Sequence, residues 1–327
     1  MNPGAMIIGT GSALPSRVLT NQDLEKMVDT SEEWITQRTG IKTRRIVGPG
    51  ESNSKLAVKA ARKALQAAQV APEELDLIIV GTLTPDYLMP SVAVLVQKEL
   101  GAYQAGAFDL SATCSGFLYG LSVADQYVRA NPARKILVIG SEVLSHKVNW
   151  EDRTTCVLFG DGAGAAVVTG SRDGRGVLST HLHADGSLWH LLTLKGCGSL
   201  YPPCGEELPR EEYFIKMQGR EVFKNAVRAM ETVALEALAA NQVSPQELDL
   251  VIPHQANKRI IEALRERLGL PPEKVFINLH KYGNTSAASI PIAMDEAVRE
   301  GRLAPGHLVL MVAFGGGFTW ASALLRW

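Results

Sequence analysis

One cysteine stands where a nucleophile is expected. Cys114 follows an apolar, strand-like run and precedes apolar residues that recur at helical spacing over residues 117–128. A cysteine at the start of a helix faces unsatisfied backbone N–H groups and the positive end of the helix dipole, and both favour the thiolate over the thiol. We therefore predict that Cys114 is a nucleophile.

Two polar residues of the C-terminal half are candidates to act with it. His254 follows the apolar run of residues 248–253, and Asn284 stands where a strand-like segment passes into a helix. Sites of α/β proteins are usually built at the carboxyl ends of strands. Each residue also has a purely structural interpretation, because His254 could be a buried hydrogen-bond donor and Asn284 an N-cap.

Glycine-rich segments add one further candidate and two that we reject. Glycines 315–317 lie between two apolar runs, where a backbone N–H could join that of Cys114 in an oxyanion hole, although a tight hairpin would explain them equally well. Residues 9–14 resemble a dinucleotide fingerprint but lack its third glycine, and residues 160–164 are predicted to form a structural turn. We therefore expect no nicotinamide cofactor.

Composition restricts the class of protein. The 327 residues are 46% hydrophobic and 20% charged, with a formal net charge of −1, so no excess of basic charge suggests nucleic acid as the partner. No apolar run reaches the roughly 20 residues that would span a bilayer, and the N-terminus lacks the pattern of a secretory signal. The four cysteines are too few for a disulfide framework. We expect a reduced, cytoplasmic enzyme that needs neither a metal nor a membrane.

The chain repeats itself. Residues 60–79 and 233–252 share twelve of twenty positions without a gap, at an offset of 173 residues. The same offset aligns the strand-like residues 136–139 and 309–312. We predict two fused α/β halves, residues 1–172 and 173–327, whose buried strands include residues 75–80, 135–140, 248–253 and 308–312. Pseudo-twofold packing of the halves would bring Cys114, His254 and Asn284 into one cavity.

One polar segment of the second half lies outside this pattern. Residues 195–212 contain two adjacent prolines and are predicted to form a surface excursion or lid. Cys197 and Cys204 lie within it, but they have no further His or Cys at ligand spacing. We predict no metal site there.

With these residues assembled, the chain resembles the thiolase superfamily, and most closely the β-ketoacyl-[acyl-carrier-protein] synthase III family. The resemblance covers nearly the whole chain and is carried by residues 29–35 and 38–41, the Cys114 segment, and residues 159–164, 253–257, 282–286 and 315–320. It implies an α/β thiolase-like fold with layered αβαβα architecture. Claisen-type thiolases usually carry a second catalytic cysteine near the C-terminus, and residues 315–327 contain none.

The resemblance implies a decarboxylative condensation. Cys114 would take the acyl group of an acyl-CoA, with the backbone N–H groups of Cys114 and Gly316 as the oxyanion hole. His254 and Asn284 would then stabilise the enolate formed when malonyl-acyl-carrier-protein loses CO₂. Neither a metal nor an organic cofactor is implied, and acyl-CoA and malonyl-acyl carrier protein are the expected partners of a homodimer.

The resemblance also assigns binding residues. Trp34 and Arg153 would sandwich the CoA adenine, with Arg38 and Asn257 along the same tunnel. Met89 would reach the acyl pocket across the dimer interface, where acetyl-specific relatives often carry Phe, so a branched or longer starter is expected. A basic patch for the carrier protein would comprise Lys224, Lys258, Arg259, Arg265 and Arg267.

Three alternatives remain at this stage. A starter-unit enzyme of secondary metabolism and a head-to-head acyl condensing enzyme would share the fold and the nucleophile. A Cys-His-Asn hydrolase of the papain type also places its His about 130–150 residues after its Cys, and His254 follows Cys114 by 140. The duplicated halves and the Ser-Gly-Phe that follows Cys114 argue against this hydrolase.

Overall fold

The computed structural model describes residues 4–171, 173–202 and 209–327. Their strands are β1 (Ala5–Ala13), β2 (Val18–Thr20), β3 (Thr43–Arg45), β4 (Leu77–Gly81), β5 (Gly106–Leu110), β6 (Ile136–Glu142), β7 (Gly162–Gly170), β8 (Gly176–Ala184), β9 (Leu192–Thr193), β10 (Lys216–Met217), β11 (Leu250–Pro253), β12 (Leu308–Gly315) and β13 (Thr319–Arg326). Their α-helices are α1 (Asn21–Glu25), α2 (Glu32–Thr39), α3 (Asn53–Ala68), α4 (Val92–Leu100), α5 (Gly116–Ala130), α6 (Gly219–Ala240), α7 (Lys258–Arg267), α8 (Leu279–Tyr282) and α9 (Ser289–Arg299). No helix of these described segments is long and apolar enough to cross a membrane.

Two mixed sheets with the same topology form the frame of the molecule. The first has the order β1-β7-β6-β4-β5 and the second the order β8-β13-β12-β11. In each, two antiparallel pairings are followed by a parallel one. A parallel bridge from Val275 to Val251 of β11 stands where β5 pairs with β4 in the first sheet. The predicted duplication into two α/β halves is therefore confirmed.

The 173-residue offset extends to the backbone angles. Gln69 and Gln242 end equivalent helices with φ of 54° and 55°, and Thr113 and Ser286 have φ of 47° and 48°. These left-handed conformations are unusual for residues with a side chain. Their recurrence at the same offset shows that both halves keep the same tight turns.

The layers follow the order αβαβα. Helices α3 and α4 pack on the outer face of the first sheet, and α6 and α7 lie on the second. Helices α5 and α9 lie between the sheets, where the central apolar core contains residues of both. The boundary between residues 172 and 173 stays a prediction, because Arg172 lies outside the described segments.

Glycines allow the two halves to touch backbone to backbone. A Cβ on Gly140 of β6 would lie 2.1 Å from the carbonyl oxygen of Ala287, and one on Gly116 would lie 3.3 Å from the Ala287 Cβ. The predicted turn at residues 160–164 is wrong for its second part, because Gly162 and Gly164 lie inside β7. Their role is close packing, since a Cβ on Gly164 would be 2.6 Å from the backbone nitrogen of Ile292 in α9.

The predicted surface excursion at residues 195–212 is described only in part. The short strands β9 and β10 pair with each other on either side of it, apart from the two large sheets. Cys197 is exposed and unbonded, and Cys204 lies outside the described residues. Within the described segments, no group of three or more His, Cys, Asp or Glu side chains is placed to hold a metal ion.

Candidate active site

Cys114 lies in a single 3₁₀ turn, Thr113–Ser115, that leads directly into α5. The Thr113 hydroxyl donates a hydrogen bond to the carbonyl oxygen of Gly316 over 3.0 Å, and the Thr319 hydroxyl donates to that of Ala112 over 2.9 Å. These two bonds tie the turn to the hairpin between β12 and β13. The sequence position of Cys114 at a helix start is therefore confirmed.

The three predicted catalytic side chains line one cavity. Cys114, His254 and Asn284 border a space of about 100 Å³ that Phe159 and Leu192 also line. A second space of about 310 Å³, lined by Ser286 and Gly316, also borders Cys114. His254 and Asn284 follow Cys114 by 140 and 170 positions in the chain, and the fold brings both to the nucleophile, as the duplication predicts.

His254 is held as a neutral imidazole. It follows β11, and its backbone N–H donates to the Val312 carbonyl of the neighbouring strand over 2.8 Å. The side chain is only 2% exposed, and burial lowers its pKa to about 3. Nδ1 lies 2.6 Å from the Ser289 hydroxyl, which accepts a 3.4 Å hydrogen bond from the Gln255 N–H. Ser289 can therefore donate to Nδ1, which leaves Nε2–H as the donor of the ring.

The amide of Asn284 has a defined orientation. Its Oδ1 accepts a 2.8 Å hydrogen bond from the backbone N–H of Ser286, so Nδ2 is left to donate. Its backbone bonds to both Leu158 and Gly160, which fixes the segment beside Phe159. The side-chain oxygen makes the local hydrogen bond that is typical of a capping residue, so the interpretation of Asn284 as a cap also holds. The side-chain nitrogen can still donate to a ligand.

The hairpin glycines pack directly on the nucleophile. A Cβ on Gly315 would lie 2.7 Å from the backbone nitrogen of Cys114 and 2.1 Å from the Thr113 hydroxyl. Residues 315–319 do form the predicted tight hairpin between β12 and β13. The segment can therefore be a tight hairpin and also contribute to an oxyanion hole, because Gly316 lines the cavity next to Cys114.

Burial changes the expected ionisation of the nucleophile. Burial raises the pKa of the Cys114 thiol to about 12; the nearby Ser286 hydroxyl lowers it and the charge of Glu142 raises it. Burial therefore opposes the effect of the helix start, and the thiolate form of Cys114 stays a prediction. A Cys114 thiol must lose its proton when the sulfur attacks.

Two polar residues beneath Cys114 were not identified from the sequence. Glu142 ends β6 with no exposed surface, and burial raises its pKa to about 7. Ser286, 1% exposed, donates to its Oε1 over 3.2 Å. An acidic residue at the end of an otherwise apolar strand was the available signal for Glu142, whereas only the fold brings Ser286 to it.

The predicted CoA-binding residues form a cluster near the surface. The Arg153 guanidinium carbon lies 5.3 Å from the centre of the Trp34 ring, and that of Arg38 lies 5.9 Å from it. The Asn257 amide donates to the Arg38 carbonyl over 3.1 Å, and Asn257 also lines the cavity of Cys114. The cluster therefore connects with the catalytic cavity.

The predicted carrier-protein patch divides into two groups. Lys224, Lys258 and Arg259 are exposed, and Arg259 stacks on Phe223, which lines the cavity. Arg265 and Arg267 instead pair with carboxylates, Arg265 with Glu262 and Glu266 and Arg267 with Glu231. These ion pairs reduce the charge that the second group offers to a partner.

Met89 does not reach the cavity of its own chain. Its side chain is 86% exposed, beside Leu88 at 85% and Tyr87 at 60%. It is not among the residues that line either space next to Cys114. Only a neighbouring subunit could receive it in an acyl pocket.

Comparison with known proteins identifies the family. Models of the N- and C-terminal parts of 3-oxoacyl-[acyl-carrier-protein] synthase III match residues 108–186 and 238–327. A β-ketoacyl-[acyl-carrier-protein] synthase III of Caldanaerobacter subterraneus is 54% identical over 99% of this chain and 98% of its own. This chain belongs to the β-ketoacyl-[acyl-carrier-protein] synthase III family. It is therefore an acyltransferase of the condensing type, with the thiolase-like fold.

Solved structures separate this assignment from its alternatives. The crystal structure of 3-oxoacyl-[acyl-carrier-protein] synthase III from Aquifex aeolicus is 56% identical, covers 99% of this chain and 100% of its own, and superposes with a TM-score of 0.93. The priming β-ketosynthase of the R1128 polyketide pathway is 37% identical, covers 99% and 97%, and has a TM-score of 0.92. The fold is thus shared with secondary metabolism, and the higher identity favours the synthase III interpretation over it and over a hydrolase.

Proposed function

We propose that this protein condenses an acyl-CoA starter with malonyl-acyl-carrier-protein, giving 3-oxoacyl-acyl-carrier-protein, CoA and CO₂. The reaction would begin fatty acid synthesis. The single observation that carries the proposal is the meeting of a nucleophile and two neutral hydrogen-bond donors, Cys114, His254 and Asn284, around one cavity. Such a set stabilises developing negative charge without itself removing a proton from carbon.

In the first half-reaction, the Cys114 sulfur attacks the thioester carbonyl. The carbonyl oxygen becomes an oxyanion, which the backbone N–H groups of Cys114 and Gly316 would bind. Collapse of the tetrahedral intermediate expels the CoA thiolate and leaves an acyl-cysteine. The packing of the hairpin against the Cys114 backbone supports this assignment of the oxyanion hole.

In the second half-reaction, Nε2–H of His254 and Nδ2–H of Asn284 would donate to the thioester oxygen of the malonyl group. Loss of CO₂ then leaves an enolate whose charge lies on that oxygen, and its carbon attacks the acyl-cysteine. A neutral imidazole suits this role because it donates a hydrogen bond without protonating the carbanion. The lowered pKa of His254 supports it.

The larger cavity next to Cys114 is proposed to receive the acyl chain. Its volume is about 310 Å³, and five of its twelve lining residues are aliphatic: Leu83, Leu144, Leu192, Leu194 and Ile215. This apolar lining supports a starter longer or more branched than acetyl. A flexible Met89 from the partner subunit, rather than a stiff aromatic ring, would complete its wall.

Trp34, Arg38, Arg153 and Asn257 are proposed to bind the CoA nucleotide. An adenine between the Trp34 ring and the Arg153 guanidinium needs about 7 Å, twice a contact distance of about 3.5 Å. Arg153 and Trp34 lie only 5.3 Å apart, so Arg153 must withdraw when the base enters. Its hydrogen bond to the Asp29 carbonyl, 2.9 Å long, would be the contact that yields.

We assign the carrier-protein surface chiefly to Lys224, Lys258 and Arg259. They surround residues that line the catalytic cavity, and an acidic partner would meet them first. Arg265 and Arg267 belong to the same proposal at its edge, because their ion pairs already neutralise part of their charge.

A homodimer is proposed from the free edge of the first sheet. Strand β5 pairs with β4 on one side, and it ends the strand order on the other. Tyr103, at 71% exposed, comes shortly before β5, and the exposed Tyr87, Leu88 and Met89 come shortly before α4, which packs on β5. An open edge beside exposed apolar side chains is the combination that a second subunit covers. A cytoplasmic location is proposed because a nucleophilic thiol needs a reducing compartment.

The reaction is tested by weighing the intact protein after incubation with acyl-CoA alone. We expect one acyl adduct, absent from Cys114→Ala, and its discharge on adding malonyl-carrier-protein with release of CO₂. A panel of acetyl, isobutyryl and hexanoyl thioesters would give the starter preference. If no acyl-CoA labels the wild-type protein, the proposed function is wrong.

A further inference from the structure

A buried carboxylate lies one hydroxyl away from the nucleophile. Ser286 borders the same cavity as Cys114 and influences the pKa of its thiol, and its hydroxyl donates to Oε1 of Glu142 over 3.2 Å. The Ser286 backbone holds this position with a left-handed φ of 48°. Cys114, Ser286 and Glu142 therefore lie in one row, with the Ser286 hydroxyl between the thiol and the carboxylate.

The described residues around Glu142 are polar and include no compensating cation. Its other partners are the hydroxyls of Thr82 and Thr84 and the backbone N–H of Leu83, all of which donate to it. Among the described residues, no Lys, Arg or His forms an ion pair with it. The only other titratable group shown to interact with it in that part of the chain is the thiol of Cys114, whose ionisation its charge opposes. A carboxylate placed in this way gains by accepting a proton.

We propose that Glu142 accepts the Cys114 proton through Ser286 during acylation and returns it after condensation. This assignment rests on the proposed function. As the sulfur attacks the thioester carbon, its proton passes to the Ser286 oxygen, and the Ser286 hydroxyl proton passes to Glu142. The C–S bond to CoA breaks, and CoA leaves as a thiolate that takes a proton from water. When condensation later breaks the acyl–Cys114 bond, the proton returns to sulfur by the same path.

The alternative acceptor is poorly placed for this task. His254 has a pKa lowered by burial, and its Nδ1 is already hydrogen-bonded to the Ser289 hydroxyl. A protonated His254 would also no longer be the neutral donor that the second half-reaction uses. Glu142 reaches the sulfur only through Ser286, which has no hydrogen bond to His254 in the described residues, so the two half-reactions can use separate groups.

Glu142→Gln separates the relay from a merely structural or electrostatic role. If Glu142 were only a nearby negative charge, its removal would favour the thiolate and leave acylation unchanged or faster. If it accepts the proton, acylation slows by about 10²-fold or more at pH 7, the scale of general-base catalysis. The wild-type rate should level off once Glu142 is ionised, whereas the variant rate should continue to rise with pH. Single-turnover acylation, followed by mass from pH 6 to 9, measures both.

The fold supplies matched controls. Ser286→Ala breaks the row but keeps the carboxylate, so acylation should fall, and Ser286→Thr should restore it because Thr113 adopts the same φ at the equivalent position. Asp295→Asn tests the general effect of neutralising a buried carboxylate, since Asp295 also accepts from two hydroxyls, those of Thr10 and Ser12. Its acylation rate should match the wild type.

The outcomes are distinct. An acyl adduct on the wild type together with equal or faster acylation of Glu142→Gln overturns the relay and leaves the proposed function intact. A loss in Asp295→Asn as large as in Glu142→Gln assigns the effect to folding and also overturns it. If Glu142→Gln does not fold, equal rates for Ser286→Ala and the wild type contradict the proposal.

Discussion

Replacing Asn284 by aspartate would change one hydrogen-bond donor of the catalytic cavity into an acceptor while keeping the shape of the side chain. The Oδ1 of Asn284 accepts from the Ser286 N–H over 2.8 Å, and an aspartate keeps that bond. Its second oxygen then stands where Nδ2 stood, as an acceptor with a negative charge. The enolate would meet this charge instead of an N–H. We therefore expect Asn284→Asp to impair condensation more than Asn284→Ala.

The size of the effect follows from two contributions. Loss of one such donor costs about 10²–10³ in rate, roughly 3–4 kcal/mol, and this is the expectation for Asn284→Ala. A charge at about 3 Å from the enolate oxygen adds up to roughly 5 kcal/mol at an effective dielectric constant of about 20. We expect Asn284→Asp to condense at least about 10³-fold more slowly than the wild type at pH 8.

The assay starts from acyl-enzyme formed in advance, so that acylation does not limit the rate. Malonyl-carrier-protein is added, and loss of the Cys114 adduct is followed by mass. Because burial raises the pKa of a carboxyl group, lower pH should protonate the introduced carboxylate and partly restore a donor. Condensation by the aspartate variant within tenfold of the wild-type rate at pH 8 would refute the donor role of Asn284.

Three further predictions concern the cavity and its surroundings. The free energy of unfolding should fall by about 2 kcal/mol between pH 7 and pH 5 because of His254. Its pKa is about 3 in the folded protein and about 6.5 in the unfolded chain, so the unfolded chain binds more protons as the pH falls. In denaturant titrations, His254→Gln should not show this part of the pH dependence. Arg153→Ala should raise the KM for acyl-CoA several-fold with little change in kcat, and an equal loss in kcat would contradict a binding role. Met89→Phe should shift kcat/KM about tenfold or more towards acetyl relative to hexanoyl starters, and an unchanged ratio would place Met89 outside the acyl pocket.

The repeated segment made the fold predictable. Gapless identity between residues 60–79 and 233–252 implied two equal halves, and the two sheets have matching strand orders. The repeat also gave a reason to expect His254 and Asn284 near Cys114, whereas their separation in the sequence gives no such reason. The structural basis is that equivalent strand ends of two symmetric halves face the same space.

Other properties of the site depend on packing that the sequence pattern does not contain. Burial raises the pKa of the Cys114 thiol because elements from both halves surround it, and a helix-start argument takes no account of that desolvation. Glu142 and Ser286 are 144 positions apart, so neither pattern nor spacing indicated their contact. Gly162 and Gly164 resembled a turn because a glycine needed for close helix packing has the same signature as one needed for a bend.

The contact of Gly140 with Ala287 has a consequence for how such an enzyme can change over generations. The turn that carries Ser286 is located by main-chain atoms of the other half, with no intervening side chain that could adopt another rotamer. Apolar residues elsewhere in the core can therefore be exchanged without altering the distance between sulfur and donors. Sequence drift in the bulk of the protein then has little effect on its chemistry, because a contact between backbones helps to align the reacting groups.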